Sequence, residues 1–245
     1  MRYSRGNILF LILIGVALFG ALAYAVTQGS RGGGKGDISD EQADIAASQA
    51  IQMADDIATA VSRLQIVRGC EDDEFDFAED VTVSFSDGTT LLYPEGHNSN
   101  APTNGRCSIF KPEGAGVIAK ALPSEITINS QSAGQAIIGG WGPVVVDLAG
   151  VGSDTQNDLV IYLPYIKEEV CVKVNEKLGI TNPGGSPPVE PRGGGIRLYD
   201  GILSATATHG DDVADLYGKN AYCIFVPSGW PDDHDFAFIR LLVAR

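Results

Sequence analysis

Residues 7–26 read NILFLILIGVALFGALAYAV, and from Ile8 onward this stretch holds nineteen consecutive residues without a charge. A helix of about 20 apolar residues spans the ~30 Å hydrocarbon core of a bilayer, a length that ordinary soluble-core helices do not need. In front of the run stands a short basic leader, residues 1–6, with Arg2 and Arg5. Behind it the chain is polar and acidic and contains all four cysteines. The order of parts therefore predicts a membrane-inserted or exported protein whose folded part follows the apolar run.

Three fates of the leader are consistent with these residues. A secretory signal peptide would use Arg2 and Arg5 as its basic end and Ala23-Tyr24-Ala25 as a small-x-small cleavage site before Val26. An uncleaved anchor would keep the same two arginines in the cytoplasm. A prepilin leader would be cut after Gly6, leaving Asn7 as the mature N-terminus and the apolar helix as part of the working protein.

The stretch Arg5-Gly6-Asn7-Ile8-Leu9-Phe10-Leu11-Ile12-Leu13-Ile14 resembles the start of a type IV pilin or pseudopilin: a short basic leader, a glycine at the cut, then an unbroken apolar helix. Most such proteins carry a glutamate at the fifth mature position, where this chain has Leu11. It is therefore nearer to the minor or tip-type subunits. The resemblance implies processing at Gly6 and Asn7, and an assembly helix presenting Ile8, Phe10, Leu11, Leu13, Val16 and Phe19. It further implies copies of itself or other pilin-like subunits as partners. The location implied is a prokaryotic inner membrane with an extracytoplasmic head, or an extracellular filament.

Beyond residue 26 the reading returns to the residues themselves. Residues 27–36 (TQGSRGGGKG) predict a flexible linker, because glycine loses the most backbone freedom on ordering. Residues 37–69 predict an amphipathic helix, opened by a capping box at Ser39 and Gln42 and stopped by Gly69. Its apolar face is expected at Ile45, Ala50, Met53, Ala54, Ile57, Val61, Leu64 and Val67.

Residues 70–245 predict a β-rich extracytoplasmic head. A hairpin is expected across Ser86-Asp87-Gly88, between strands at 81–85 and 89–93. Short apolar runs follow at 116–122, 125–129, 136–138, 144–148 and 159–163. One further helix is expected to start at Pro164 and to share a face through Ile166, Val170, Val174 and Leu178. Residues 182–195 (NPGGSPPVEPRGGG) predict a surface loop or a crossover. Residues 222–226 and 236–244 predict two strands. The last is apolar on both faces apart from Arg240, so a central place in the sheet is expected. The fold class is thus α+β, with a mainly antiparallel sheet.

Cys70, Cys107, Cys171 and Cys223 form no C-x-x-C pair, which argues against zinc or thioredoxin chemistry and for two disulfides in an oxidising compartment. Four cysteines allow three pairings. Cys70 with Cys107 and Cys171 with Cys223 is preferred, since each pair closes a loop within its own half of the chain.

The net charge of −14, from 31 acidic against 17 basic residues, excludes the clustered cations that nucleic-acid binding requires. No catalytic fingerprint appears around His97, His209 or His234 or around any serine, and an enzyme is not expected. No cofactor is expected either, with calcium as the one open candidate. Its ligands would come from Asp154, Asn157 and Asp158 in the GSDTQND turn, or from Asp72, Asp73 and Asp76, or from Asp232, Asp233 and Asp235. Trp141 and Trp230 stand on Gly/Pro loops, where a ring caps the edge of a core or meets a partner or a glycan.

The function expected from the whole is structural: a subunit of a type IV pilus-like filament or a secretion pseudopilus, assembled through its apolar helix. The alternatives are a secreted or membrane-anchored envelope protein whose head binds a ligand or partner, and a periplasmic hydrolase of unrecognised type.

Overall fold

The computed structural model describes residues 14–15, 38–78, 82–84, 90–92, 98–118, 123, 125–127, 142–153, 156–191, 197–204, 208–227 and 235–245. The chain divides into two compact units, 1–39 and 40–245. In the first, Ile14 and Gly15 are helical and exposed, and the remainder of the apolar run lies outside the described residues. Among the described residues no helix is long and apolar enough to cross a membrane.

The second unit is α+β. It opens with α1 (Asp40–Arg63), which passes into a π-helical turn, Leu64–Arg68. Asp40 and Glu41 sit at its positive end and Arg63 near its negative end, each complementing the helix dipole. Gly69 ends it in the left-handed region at φ 63°, a conformation that costs glycine nothing. Its N–H reaches Gln65 O, and the Cys70 N–H reaches Leu64 O, so the last carbonyls of the turn are satisfied.

The buried face of α1 includes the expected Ala50, Ala54, Ile57, Val61 and Leu64 but departs from the expected face at its two ends. It runs through Ala43, Ala46, Ala47, Ala50, Ala54, Ile57, Ala58, Val61 and Leu64, whereas Ile45 and Val67 are exposed. Hydropathy favours the large side chains, but alanines let the helix axis approach its neighbours closely. Those neighbours are α2 (Glu168–Leu178) and the strand β8 (Asp235–Val243).

β1 (Thr82–Ser84) and β2 (Thr90–Leu92) form the expected antiparallel ribbon, with Val83 opposite Leu91. Its turn lies outside the described residues. The main sheet joins β3 (Gly142–Leu148), β4 (Asp158–Ile166), β5 (Arg197–Leu198), β7 (Ala221–Val226) and β8 in the order β5-β3-β4-β8-β7. All these pairings are antiparallel. β6 (Thr208–His209) adds a short parallel pairing to β3.

β8 pairs on both sides, as its two apolar faces led us to expect. Arg240, on the α1 side, bonds Asp55 at 2.7 Å. The opposite face of the sheet carries Val144, Val146, Leu148, Val160, Tyr162, Tyr222, Ile224, Ala237 and Ile239. Loop residues Val151, Ile180 and Leu216 cover it. Helices on one face and loops on the other explain strands that are apolar throughout although they are antiparallel.

The second helix does not begin at Pro164. Residues 164–166 belong to β4, and α2 starts at Glu168 after Lys167. Proline lacks the N–H a ladder needs, and the pairing of β4 with β8 shifts register between Leu163 and Ile166. Beyond the shift Ile166 pairs with both Phe236 and Thr127, so the strand outlasts its proline. Of the runs at 116–122 and 125–129, the described residues 116–118 are irregular, and 125–127 form a turn that ends in the isolated bridge of Thr127.

Candidate functional site

Both disulfides have the preferred pairing, Cys70–Cys107 and Cys171–Cys223. The first ties the end of the π-helical turn to a loop, where Asp76 and Ser108 form a bridge and the Ile109 N–H reaches Asp76 O. The second ties α2 to β7. All four half-cystines are buried.

Beside the second bridge, β7 is an edge strand whose outward backbone groups at Cys223 and Phe225 are met. The Asn175 side chain, fully buried, accepts the Cys223 N–H and donates to the Cys223 carbonyl, both at 2.8 Å. One residue pair further on, the Phe225 N–H reaches Pro188 O, and the Glu190 N–H reaches Phe225 O. An open strand edge invites another chain to pair, and here an amide and a loop close it. Sequence reading missed Asn175. The available signal was a polar residue four positions after Cys171, on the apolar side of the helix.

The loop at 182–195 is less superficial than its composition suggests. Pro187, Pro188 and Glu190 are buried, and Val189 bridges Phe225. From there Glu190 reaches a corner of the head built by residues 208–216. Gly210, at φ 84°, turns the chain after β6 and gives its N–H to Glu190 Oε2 at 2.8 Å. The turn presents Asp211 and Asp212, and one carboxylate oxygen from each of Glu190, Asp211 and Asp212 lies within 4.8 Å of the others.

Two further polar side chains belong to this corner. His209 and Tyr222 are each 1% exposed. Neither ring nitrogen of His209, nor the Tyr222 hydroxyl, has a hydrogen-bond partner among the described residues. Burial pushes the His209 ring below its ordinary pKa, against the pull of the Glu190 and Asp211 charges. Burial also raises the Tyr222 hydroxyl, helped by the Glu190 and Asp158 charges. Cys70, Glu74 and Cys107 also approach one another, but the two sulfurs are bonded together.

Of the residues singled out from sequence, Gly6, Asn7, Ile8, Phe10, Leu11, Leu13, Val16 and Phe19 lie outside the described residues. So do His97, Trp141, Asp154, Trp230, Asp232, Asp233 and His234. Asn157 donates to Leu203 O at 3.5 Å. Asp158 is buried, and its two carboxylate oxygens accept the Leu148 and Arg245 N–H groups, both at 2.9 Å. Burial raises its pKa, while those two bonds lower it. Asp72 and Asp73 line an open groove of about 750 Å³ with Glu71 and Arg245, and Arg245 Nε lies 3.4 Å from Asp72 Oδ2. Asp76 is separate from them, buried, with its Oδ1 on the Ala78 N–H.

No family model matches the chain, and no curated protein or solved structure resembles it at a significant level. The class is defined by the fold: a disulfide-bonded α+β head with two helices packed on an antiparallel sheet. Its two bridges are those of a protein that folds in an oxidising, extracytoplasmic setting.

Proposed function

We propose that this chain is a structural subunit of pilin-like or pseudopilin-like type. The observation that carries the reading is the order of parts around α1. An apolar run long enough to span a bilayer is followed by a 24-residue helix that lies on an antiparallel sheet through a seam of alanines. A helix held this way anchors the head to whatever precedes it in the chain.

In this reading the leader is cut between Gly6 and Asn7, and residues 8–26 stay in the mature protein. The run resides in the inner membrane before assembly. It then packs against the equivalent runs of other copies or of related subunits, burying Ile8, Phe10, Leu11, Leu13, Val16 and Phe19. The driving force is apolar burial at about 25 cal/mol per Å². The protein contributes packing, with the head displayed outward.

Intact-mass spectrometry of the native protein tests this. A mature N-terminus at Asn7 is expected. A terminus at Val26 would discard the assembly helix and leave a secreted protein, and one at Met1 would leave a plain anchor. Either refutes the proposal.

A further inference from the structure

We propose that the head carries two complementary docking patches, and that the end of α1 docks on the 211–217 turn of a second copy of this chain. The contact rests on the filament reading for its setting and supplies a joint between heads. The first patch is Arg63, Ile66, Val67 and Arg68. Ile66 is 84% exposed and Val67 68%, an open apolar pair at the end of a helix that otherwise packs on a sheet. Arg63 stands three and four residues before them, the spacing of neighbours on a helix surface. Both arginines are exposed, and among the described residues neither makes a side-chain hydrogen bond or an ion pair. An exposed apolar spot rimmed by charge is the mark of a contact surface.

The fold holds this patch in place before any partner arrives. Leu64 is buried beneath it, and Gln65 Nε2 donates to Asp72 Oδ1 at 2.9 Å. Gly69 then leads directly into the Cys70–Cys107 bridge. A surface fixed in advance loses little conformational freedom on docking.

Charge selects the partner. The chain carries a net charge of −14, so two copies repel each other except where a basic spot meets an acidic one. The second patch, Asp211, Asp212, Asp215 and Tyr217, is exposed throughout, with Tyr217 63% open. Three carboxylates around an open aromatic ring are the counterpart of two guanidinium groups around an open aliphatic pair. Tyr217 is also fixed: its ring lies against Gly150, where a Cβ would collide with it, and the Gly218 N–H reaches Ala149 O at 2.8 Å. Tyrosine and arginine are the side chains that most often dominate a contact. An anionic lipid surface would attract the two arginines but repel the acidic remainder of the head. Because the two patches differ, each copy keeps one of each kind for the next copy, as a filament requires.

The test reconstitutes full-chain I66C and Y217C together in phosphatidylcholine vesicles and joins them with a short bismaleimide. The four native cysteines are all bridged and do not react. Dimer yield from the mixture should exceed that from either variant alone at least about fivefold, and should fall as steeply in about 1 M salt. Adding R63E/R68E to the I66C chain should lower the yield to the single-variant level, and adding D211K/D212K/D215K to the Y217C chain should restore it. Far-UV spectra check that the charge variants fold, and the salt dependence tests the native charges without them. The proposal is overturned if the mixture yields no more than the single variants, if salt and R63E/R68E leave the yield unchanged, or if a folded charge swap fails to restore it. It is also overturned if a polarity-sensitive dye on I66C shifts to the blue in phosphatidylglycerol vesicles while no cross-link to Y217C forms, which would assign the patch to lipid. Intact mass of the native protein reads the filament question separately. Asn7 without cross-linking refutes the contact alone, whereas Val26 with cross-linking refutes the filament and leaves the contact standing.

Discussion

Replacing Asn175 with alanine isolates the clasp between α2 and β7. The native amide makes three bonds at that point: it accepts from Cys223 N, donates to Cys223 O, and donates to Asn182 Oδ1 at 2.9 Å. Alanine removes all three. The Asn182 oxygen is partly exposed and can turn to water, but the Cys223 N–H and C=O are enclosed behind a fully buried side chain. Each stranded backbone group costs about 1–3 kcal/mol, so the loss expected is about 2–6 kcal/mol, centred near 4. For a unit of this size that corresponds to a fall in Tm of about 2–4 °C per kcal/mol.

Urea unfolding followed by far-UV circular dichroism, with the disulfides intact, measures the effect. N175D provides the internal control. Its carboxylate can still accept from Cys223 N, yet it cannot donate to Cys223 O and it buries a charge. N175D should therefore be as damaging as N175A at neutral pH and recover partly in acid, where a protonated carboxyl can donate again. A loss below about 1 kcal/mol for N175A, with the midpoint shifted and the slope unchanged, would refute the claim that this amide closes the edge of β7.

Three other outcomes follow from the same structure. C171A/C223A opens a loop of 52 residues, and the chain-entropy relation puts the loss at about 4 kcal/mol, measurable by the same unfolding assay. The His209 ring, depressed below 6.5 by burial, binds fewer protons folded than unfolded. Stability should therefore fall as pH drops below 6.5 toward the folded value, and H209L should flatten that slope in melts between about pH 7 and 5. The Arg240–Asp55 pair is partly exposed, so D55N should cost no more than about 1 kcal/mol, and the difference should shrink in added salt.

Much of the head was legible because local rules governed it. The glycine stop at Gly69, the paired strands around residue 87 and the central place of residues 236–243 each follow from one periodicity or one turn. The cysteine pairing followed from proximity in sequence, and a chain with longer crossovers would have defeated that rule. Three features were less legible. The part of the α1 face formed by Ala43, Ala46, Ala47 and Ala58 was hidden because hydropathy rewards large side chains and tertiary packing here rewards small ones. The strand character of residues 164–166 was hidden because proline signals a helix start locally, while pairing to β8 and Thr127 is a long-range fact. Residues 182–195 read as a surface loop or a crossover by composition, but Pro187, Pro188 and Glu190 are buried where they close the edge of β7.

The sequence by itself determined the apolar run, the acidic balance, the class of fold and the oxidising chemistry of the cysteines. Each of these depends on residue type and local spacing alone. Tertiary structure decided which groups meet. Asn175 reaches Cys223, 48 residues away, and Glu190 reaches the turn at Gly210, because two helices and a loop are pressed onto one sheet. Hydrogen bonding and ligand geometry are set over a few ångströms, a distance that no spacing along the chain encodes.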